Sequence, residues 1–165
     1  MAELSEVRRR AQVNLRARLP GLPPPGESAT AGDRTTLGLG PDEWLVLGPE
    51  GTQGDIEREL RDAIARSGDW GAVTDVSAQR TTFVLSTPRA REVLATGCSL
   101  DLHPRAFGPG RCAQTDLARA NVVLRQVDER PTYELLVAGS LATYVAAWLA
   151  DALHSTADTT GGSHG

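Results

Sequence analysis

The chain has 165 residues, 40% of them hydrophobic and 23% charged, an ordinary composition for one globular domain with its own core. Its net charge of −4 argues against nucleic acid as a general partner, and all its basic residues are arginines, which excludes lysine chemistry. No window approaches the roughly 18 apolar residues of a membrane span, and residues 1–10 do not resemble a signal peptide. We therefore expect no membrane partner and a cytoplasmic chain with reduced cysteines.

Residues 1–34 are predicted to form an N-terminal arm. This segment is locally basic, residues 11–16 alternate weakly as a short strand would, and residues 19–33 are a Pro/Gly-rich link. Two interpretations remain open: a disordered tail, or an arm that becomes ordered against a partner protein.

Residues 35–153 are predicted to form a single domain whose first half alternates strands with one helix. The helix has apolar residues at helical spacing, Thr52 as its N-cap and Gly68 after its last turn. The predicted elements are strands at 35–40 and 43–48, the helix at 52–68, and strands at 70–77 and 80–86.

The second half of this domain begins with a helix capped by Thr87 and ends with a helix capped by Ser140. Between them we predict strands at 113–119, 121–127 and 132–138, and after them a disordered tail at 154–165. The order of elements predicts an α+β fold in which helices pack on mixed or antiparallel sheets.

One segment between the second helix and the following strand concentrates the chemically capable residues, namely Cys98, Asp101, His103 and Cys112. Structural zinc usually takes close pairs of ligands, a spacing this segment lacks, so we expect no metal site. A disulfide is sterically conceivable but not expected to persist in the cytoplasm. Asp101 and His103 fit either an acid–base pair or a surface Asp-x-His segment in which Pro104 forces His103 into an extended conformation, and we favour the surface segment. The nearby Pro and Gly residues indicate a shaped corner.

Known nucleotide-binding and nucleophile motifs are missing from the sequence. No G-x-G-x-x-G follows a predicted strand, no Walker loop is possible without lysine, and no G-x-S-x-G is present. We therefore expect no cofactor on this chain and no catalytic residue, and Asp101 is the candidate if the chain has a catalytic residue at all.

Several stretches together resemble the gamma subunit of bacterial heterotetrameric sarcosine oxidase. The most specific of them is GCSLDLHPRAFGPGRCAQT, which begins at Gly97. The sequence departs from this family at residues 19–34, where relatives tend to be longer. The matching stretches are LGPDEWLVLGP at 39–49, VTDVS at 73–77, residues 88–124 and residues 132–152.

This resemblance implies a complex that oxidatively demethylates sarcosine to glycine, with hydrogen peroxide and either formaldehyde or methylene-tetrahydrofolate as further products. It implies alpha, beta and delta subunits as partners, which carry FAD, FMN, NAD and zinc. It also implies a fold similar to the first domain of folate-binding aminomethyltransferases of the glycine-cleavage T-protein type. Asp75-Val76-Ser77 looks like a motif of that superfamily, and Asp101 falls near the position of its active aspartate.

Two functions are consistent with these features. The first is a structural, non-catalytic subunit of a sarcosine oxidase complex, and the alternative is a stand-alone folate-dependent one-carbon transferase or folate-binding module. Subunit interfaces are enriched in Trp, Tyr, Phe and Arg. On that basis the interface candidates are Trp44, Trp70, Phe107 and Arg111.

Overall fold

This computed structural model describes residues 2–161 of the chain. These residues contain ten strands and three α-helices. A short 3₁₀ turn, Gly139–Leu141, precedes the last helix. In chain order the elements are β1 (Leu4–Val7), β2 (Ala11–Ala17), β3 (Ser28–Ala31), β4 (Arg34–Gly40), β5 (Glu43–Gly48), α1 (Gln53–Ser67), β6 (Gly71–Asp75), β7 (Arg80–Ser86), α2 (Ala90–Ala95), β8 (Cys112–Leu117), β9 (Ala120–Asp128), β10 (Thr132–Ala138) and α3 (Ala142–Gly161).

The strands form two five-stranded sheets. Sheet A has the order β1-β7-β10-β9-β8, and sheet B has the order β3-β4-β5-β2-β6. All neighbouring strands in both sheets are antiparallel. The predicted α+β fold of antiparallel sheets with packed helices is confirmed.

Side chains that alternate along the strands fill three apolar layers. Leu45 and Leu47 of β5 face sheet A, where they meet Val123 and Leu136 between the two sheets. The opposite face of sheet B packs against α1, and that of sheet A packs against α2 and α3. The layers therefore run α1, sheet B, sheet A, and then the pair α2 and α3.

The N-terminal segment is part of this fold, which corrects the prediction of an arm that ends at residue 34. Strand β2 lies between β5 and β6, and its alternate residues Ala11, Val13, Leu15 and Ala17 are fully buried. The Pro/Gly-rich link is held as well, because the amide of Gly26 donates to the Gly38 carbonyl at 2.9 Å. The prediction missed this packing because it depends on partners far along the chain.

The helix ends also differ from expectation. Helix α2 begins at Ala90 with Arg89, not Thr87, at the N-cap, and α3 begins at Ala142 after the 3₁₀ turn. Helix α3 continues to Gly161, which corrects the predicted disordered tail up to that residue, while residues 162–165 lie outside the described part. The segment from 154 contains no proline to stop the helix.

Within residues 2–161, no helix is both long and apolar enough to cross a membrane.

Candidate functional site: the corner between α2 and β8

The corner that connects α2 to β8, residues 97–111, is anchored by two apolar side chains. Leu102 and Phe107 are both buried in the layer between sheet A and its helices. The Phe107 ring stacks on Tyr133 with a centroid distance of 6.5 Å, and Arg91 Nε donates to the Leu102 carbonyl at 3.1 Å. The corner is therefore fixed on the core, as its Pro and Gly content predicted.

Asp101 and His103 lie in this corner as exposed residues that shape its turns. Asp101 Oδ1 accepts the backbone N–H of His103 at 3.0 Å, an Asx turn, and His103 Nδ1 accepts the N–H of Arg105 at 3.2 Å. The His103 carbonyl accepts two further amides, from Ala106 and Phe107. The two side chains bond to backbone rather than to each other, so the geometry is that of a surface turn.

The two cysteines are free thiols in different surroundings. Cys112 is buried, and its Sγ lies 3.5 Å from the Gly38 carbonyl and 3.4 Å from that of Glu27. Burial raises the pKa of the Cys112 thiol, which keeps it protonated. Cys98 is half-buried, with its Sγ 3.7 Å from Thr115 Oγ1. Among residues 2–161 no cluster of three or more His, Cys, Asp or Glu side chains has the arrangement of a metal site.

The end of the corner connects the two sheets, a role that the sequence did not reveal. Gly110 has a φ of +86°, and its carbonyl accepts both the N–H and the hydroxyl of Ser28, at 2.7 and 3.0 Å. The amide of Gly110 donates to Gln126 of β9 at 3.0 Å, and that of Cys112 donates to Gly26 at 2.9 Å. Residues 110–112 therefore join β9 of sheet A to β3 and to the segment just before it.

The Asp75-Val76-Ser77 motif forms a second connection between the sheets, where β6 leads into β7. Asp75 Oδ1 accepts the N–H and the hydroxyl of Ser77 at 2.9 and 2.6 Å. Ser77 Oγ in turn accepts the backbone N–H of Gln12 in β2 at 2.8 Å. The buried side-chain Nε2 of Gln12 donates to the Arg80 carbonyl at 3.0 Å. The motif holds β2 of sheet B against β7 of sheet A.

A buried ion triad also lies between the sheets, and no sequence pattern predicted it. The carboxylate of Glu134 in β10 pairs with Arg10, just before β2, and with Arg125 of β9 at 3.0 Å. Their side chains are only 10–17% exposed. Arg125 Nη2 also lies 3.4 Å from Thr30 Oγ1 in β3. A long-range pairing of this kind specifies how the two sheets meet.

The four interface candidates divide into two buried and two exposed residues. Trp44 is 5% exposed and donates its indole N–H to the Pro23 carbonyl at 2.8 Å, and Phe107 is 3% exposed. Both belong to this chain's own core, which corrects the interface prediction for them. Trp70 is 61% exposed, and Arg111 is an exposed residue 3.8 Å from Glu27, so both remain available for a partner.

The two-sheet architecture defines the class of protein. It is similar to the glycine cleavage system aminomethyltransferase T of Bartonella henselae, with a TM-score of 0.66 over 88% of this chain and 44% of that one. At 14% sequence identity this likeness shows a shared fold. The predicted aminomethyltransferase-like architecture is thereby confirmed.

Sequence comparisons identify the family within that class. The chain matches the sarcosine oxidase, gamma subunit family over residues 21–155, and it belongs to that family. It is 41% identical over 142 residues to a sarcosine oxidase subunit gamma of Arthrobacter sp., covering 85% of this chain and 68% of the relative. The corresponding protein of Corynebacterium sp. (strain P-1) is 42% identical over 118 residues, 71% of this chain and 55% of that relative.

A solved assembly gives the same result in three dimensions. The chain superimposes on a chain of the heterotetrameric sarcosine oxidase from Corynebacterium sp. U-96, a structure in complex with pyrrole 2-carboxylate, with a TM-score of 0.82. The match has 32% identity and covers 94% of this chain and 87% of the other. The resemblance drawn from the sequence is therefore confirmed.

Proposed function

We propose that this chain is a structural, non-catalytic subunit of a cytoplasmic heterotetrameric sarcosine oxidase, with alpha, beta and delta subunits as its partners. The observation that carries the proposal is the match over nearly the whole chain to one chain of a solved heterotetramer. The complex would demethylate sarcosine to glycine, produce hydrogen peroxide, and release formaldehyde or form methylene-tetrahydrofolate. Its FAD, FMN, NAD and zinc would lie on the other subunits.

The geometry of the corner supports a structural role. Asp101 is exposed to solvent and its carboxylate accepts the backbone amide of His103, so it shapes a turn. Cys112, a possible nucleophile by residue type, is buried and protonated, whereas a reactive cysteine is a thiolate with access to its substrate. Two other residues of the corner, Leu102 and Phe107, are part of the core.

The same geometry favours this proposal over a stand-alone folate-dependent enzyme. A pocket for a small-molecule ligand encloses most of that ligand's surface. Asp101 instead lies on an exposed turn, and the side chain of the neighbouring Leu102 is buried in the core. The likeness to the aminomethyltransferase is a likeness of fold.

Co-expression with the alpha, beta and delta chains of a heterotetrameric sarcosine oxidase tests the proposal. We expect the tagged chain to retain all three in equal amounts, and sarcosine-dependent hydrogen peroxide production to follow the assembled complex. Calorimetric titration of the isolated chain with tetrahydrofolate is expected to give no binding heat. A chain that fails to retain the other subunits, or that binds folate alone in a manner abolished by Asp101→Ala, contradicts the proposal.

A further inference from the structure

A shallow groove of about 400 Å³ lies at the end of sheet B where β2 finishes and β6 begins. We call it the Trp70 groove, because one wall is the most exposed large apolar side chain among the described residues. Its lining consists of Arg16, Gly40, Pro41, Asp42, Glu43 and Trp70.

The backbone around Trp70 is fixed although its side chain faces solvent. The Trp70 amide donates to Asp69 Oδ1 at 2.7 Å, and the next residue, Gly71, lies so close to Ile64 that a Cβ there would be 2.5 Å from the Ile64 Cδ1 atom. The indole N–H of Trp70 has no hydrogen bond within residues 2–161, in contrast to the satisfied indole of Trp44. An ordered, unburied tryptophan with a free donor is well suited to anchor a partner.

The charges of the groove leave one carboxylate without a cation. Arg16 pairs with Glu43 at 2.8 Å, so the Glu43 carboxylate already has a cation beside it. Asp42 has no ion pair among the residues that the structure describes. The lining therefore contains both an exposed indole and a carboxylate that has no ion pair among the described residues.

We propose that the Trp70 groove receives a basic side chain, most suitably an arginine, from a partner subunit of the sarcosine oxidase complex. This inference rests on the proposed function. A guanidinium stacks on an indole face and forms paired hydrogen bonds with a carboxylate. Trp70 offers the indole for stacking, and Asp42 offers the carboxylate for the ion pair. Subunit interfaces of standard size bury about 800 Å² on each side. The groove therefore acts as an anchor point within a larger contact.

Matched variants test the groove in the full assembly. The tagged chain and its variants Trp70→Ala, Trp70→Phe and Asp42→Asn are titrated against the complex of the other three subunits at low and high salt. Asp33→Asn, an exposed carboxylate in the β3–β4 turn, is the charge control, and thermal unfolding of each chain verifies its fold. We expect Trp70→Ala to weaken binding by at least about tenfold. Trp70→Phe and Asp42→Asn should weaken it less, with Asp42→Asn reducing the salt dependence, while Asp33→Asn binds as the wild type does.

A photo-crosslinking residue at position 70 identifies the occupant directly. We expect a cross-link to another subunit, at a peptide that contains arginine or lysine next to the cross-linked site. Wild-type affinity in folded Trp70→Ala and Asp42→Asn chains would overturn the inference while leaving the proposed function intact. A cross-link between two copies of this chain would overturn it as well. Failure of the wild-type chain to bind the other subunits would instead refute the proposed function and, with it, this inference.

Discussion

Ser28 donates both its backbone N–H and its hydroxyl hydrogen to the carbonyl oxygen of Gly110, at 2.7 and 3.0 Å. The two residues are 82 positions apart in the sequence, and the contact connects the corner before β8 to β3, an edge strand of sheet B. It depends on the left-handed backbone of Gly110, whose φ is +86°. The segment that carries Cys98, Asp101, His103 and Cys112 therefore connects the two sheets by hydrogen bonds.

Gly110→Ala should lower the free energy of unfolding by about 1–2 kcal/mol, because a Cβ disfavours the left-handed conformation. The nearest atom to that Cβ is 4.0 Å away, so conformational strain and not a clash is expected to dominate. Urea denaturation measures the change. Gly54→Ala, an exposed helical glycine with open space around it, is the control and should leave stability unchanged or raise it. Equal effects of the two substitutions would contradict the assignment.

Gly97→Ala should destabilise the chain for a different reason. A Cβ at this position would lie 2.4 Å from Trp148 Cζ2 of α3, so the helix or the ring must move. Overpacking of this kind costs about 1–3 kcal/mol. A double-mutant cycle with Trp148→Leu, followed by thermal unfolding, should show that most of the cost disappears once the ring is removed. Purely additive effects would exclude this contact as the cause.

Glu134→Gln should be among the most damaging single changes. It leaves the guanidinium groups of Arg10 and Arg125 mostly buried without a carboxylate, and breaking such a pairing costs about 3–5 kcal/mol. Asp55→Asn is the control, since its pair with Arg58 is exposed and is worth at most about 1 kcal/mol. Denaturant unfolding of both variants checks the difference, and a mild effect of Glu134→Gln would mean that the triad contributes little.

Asp101→Ala should leave the turnover of the assembled oxidase unchanged. Its carboxylate accepts one backbone amide on the surface, so the expected loss is about 1 kcal/mol of stability from a weaker turn. A catalytic acid or base at this position would instead reduce kcat by about 10²–10⁴-fold. Steady-state kinetics with sarcosine, with Asp116→Ala as a surface control, distinguishes the two roles.

Stability should fall in alkaline solution in a way that depends on Cys112. Burial raises the pKa of its thiol, so the folded chain holds this proton more strongly than the unfolded chain does. The resulting stabilisation is complete below about pH 8.5 and is lost as the pH rises through the folded pKa. Urea denaturation at pH values from neutral to alkaline should show a shallower decline for Cys112→Ala than for the wild type. Identical slopes would show that the buried thiol does not titrate in this range.

Local sequence patterns were sufficient to predict the positions of those strands and helices whose own residues indicate their secondary structure. Strands β4, β5, β7 and β10 fall close to their predicted positions because each is a short run rich in β-branched, aromatic or leucine residues and is bounded by turn residues. Helix α1 does so because its apolar residues recur at helical spacing. Strand β1 went unrecognised because Leu4–Val7 is mostly exposed and is ordered by pairing with β7. Asp101 is exposed and accepts the backbone amide of His103. Phe107, predicted as an interface residue, instead stacks on Tyr133 in the core.

The sequence by itself determined the family, the α+β class and the shaped corner at residues 97–111, because composition, periodicity and local motifs are properties of neighbouring residues. Only the tertiary structure decided that β2 lies inside sheet B, that Gly110 joins the sheets through Ser28, and that Trp70 rather than Trp44 faces solvent. These features depend on which distant segments meet in space. Burial and hydrogen bonding are set by those long-range contacts, so no local pattern encodes them.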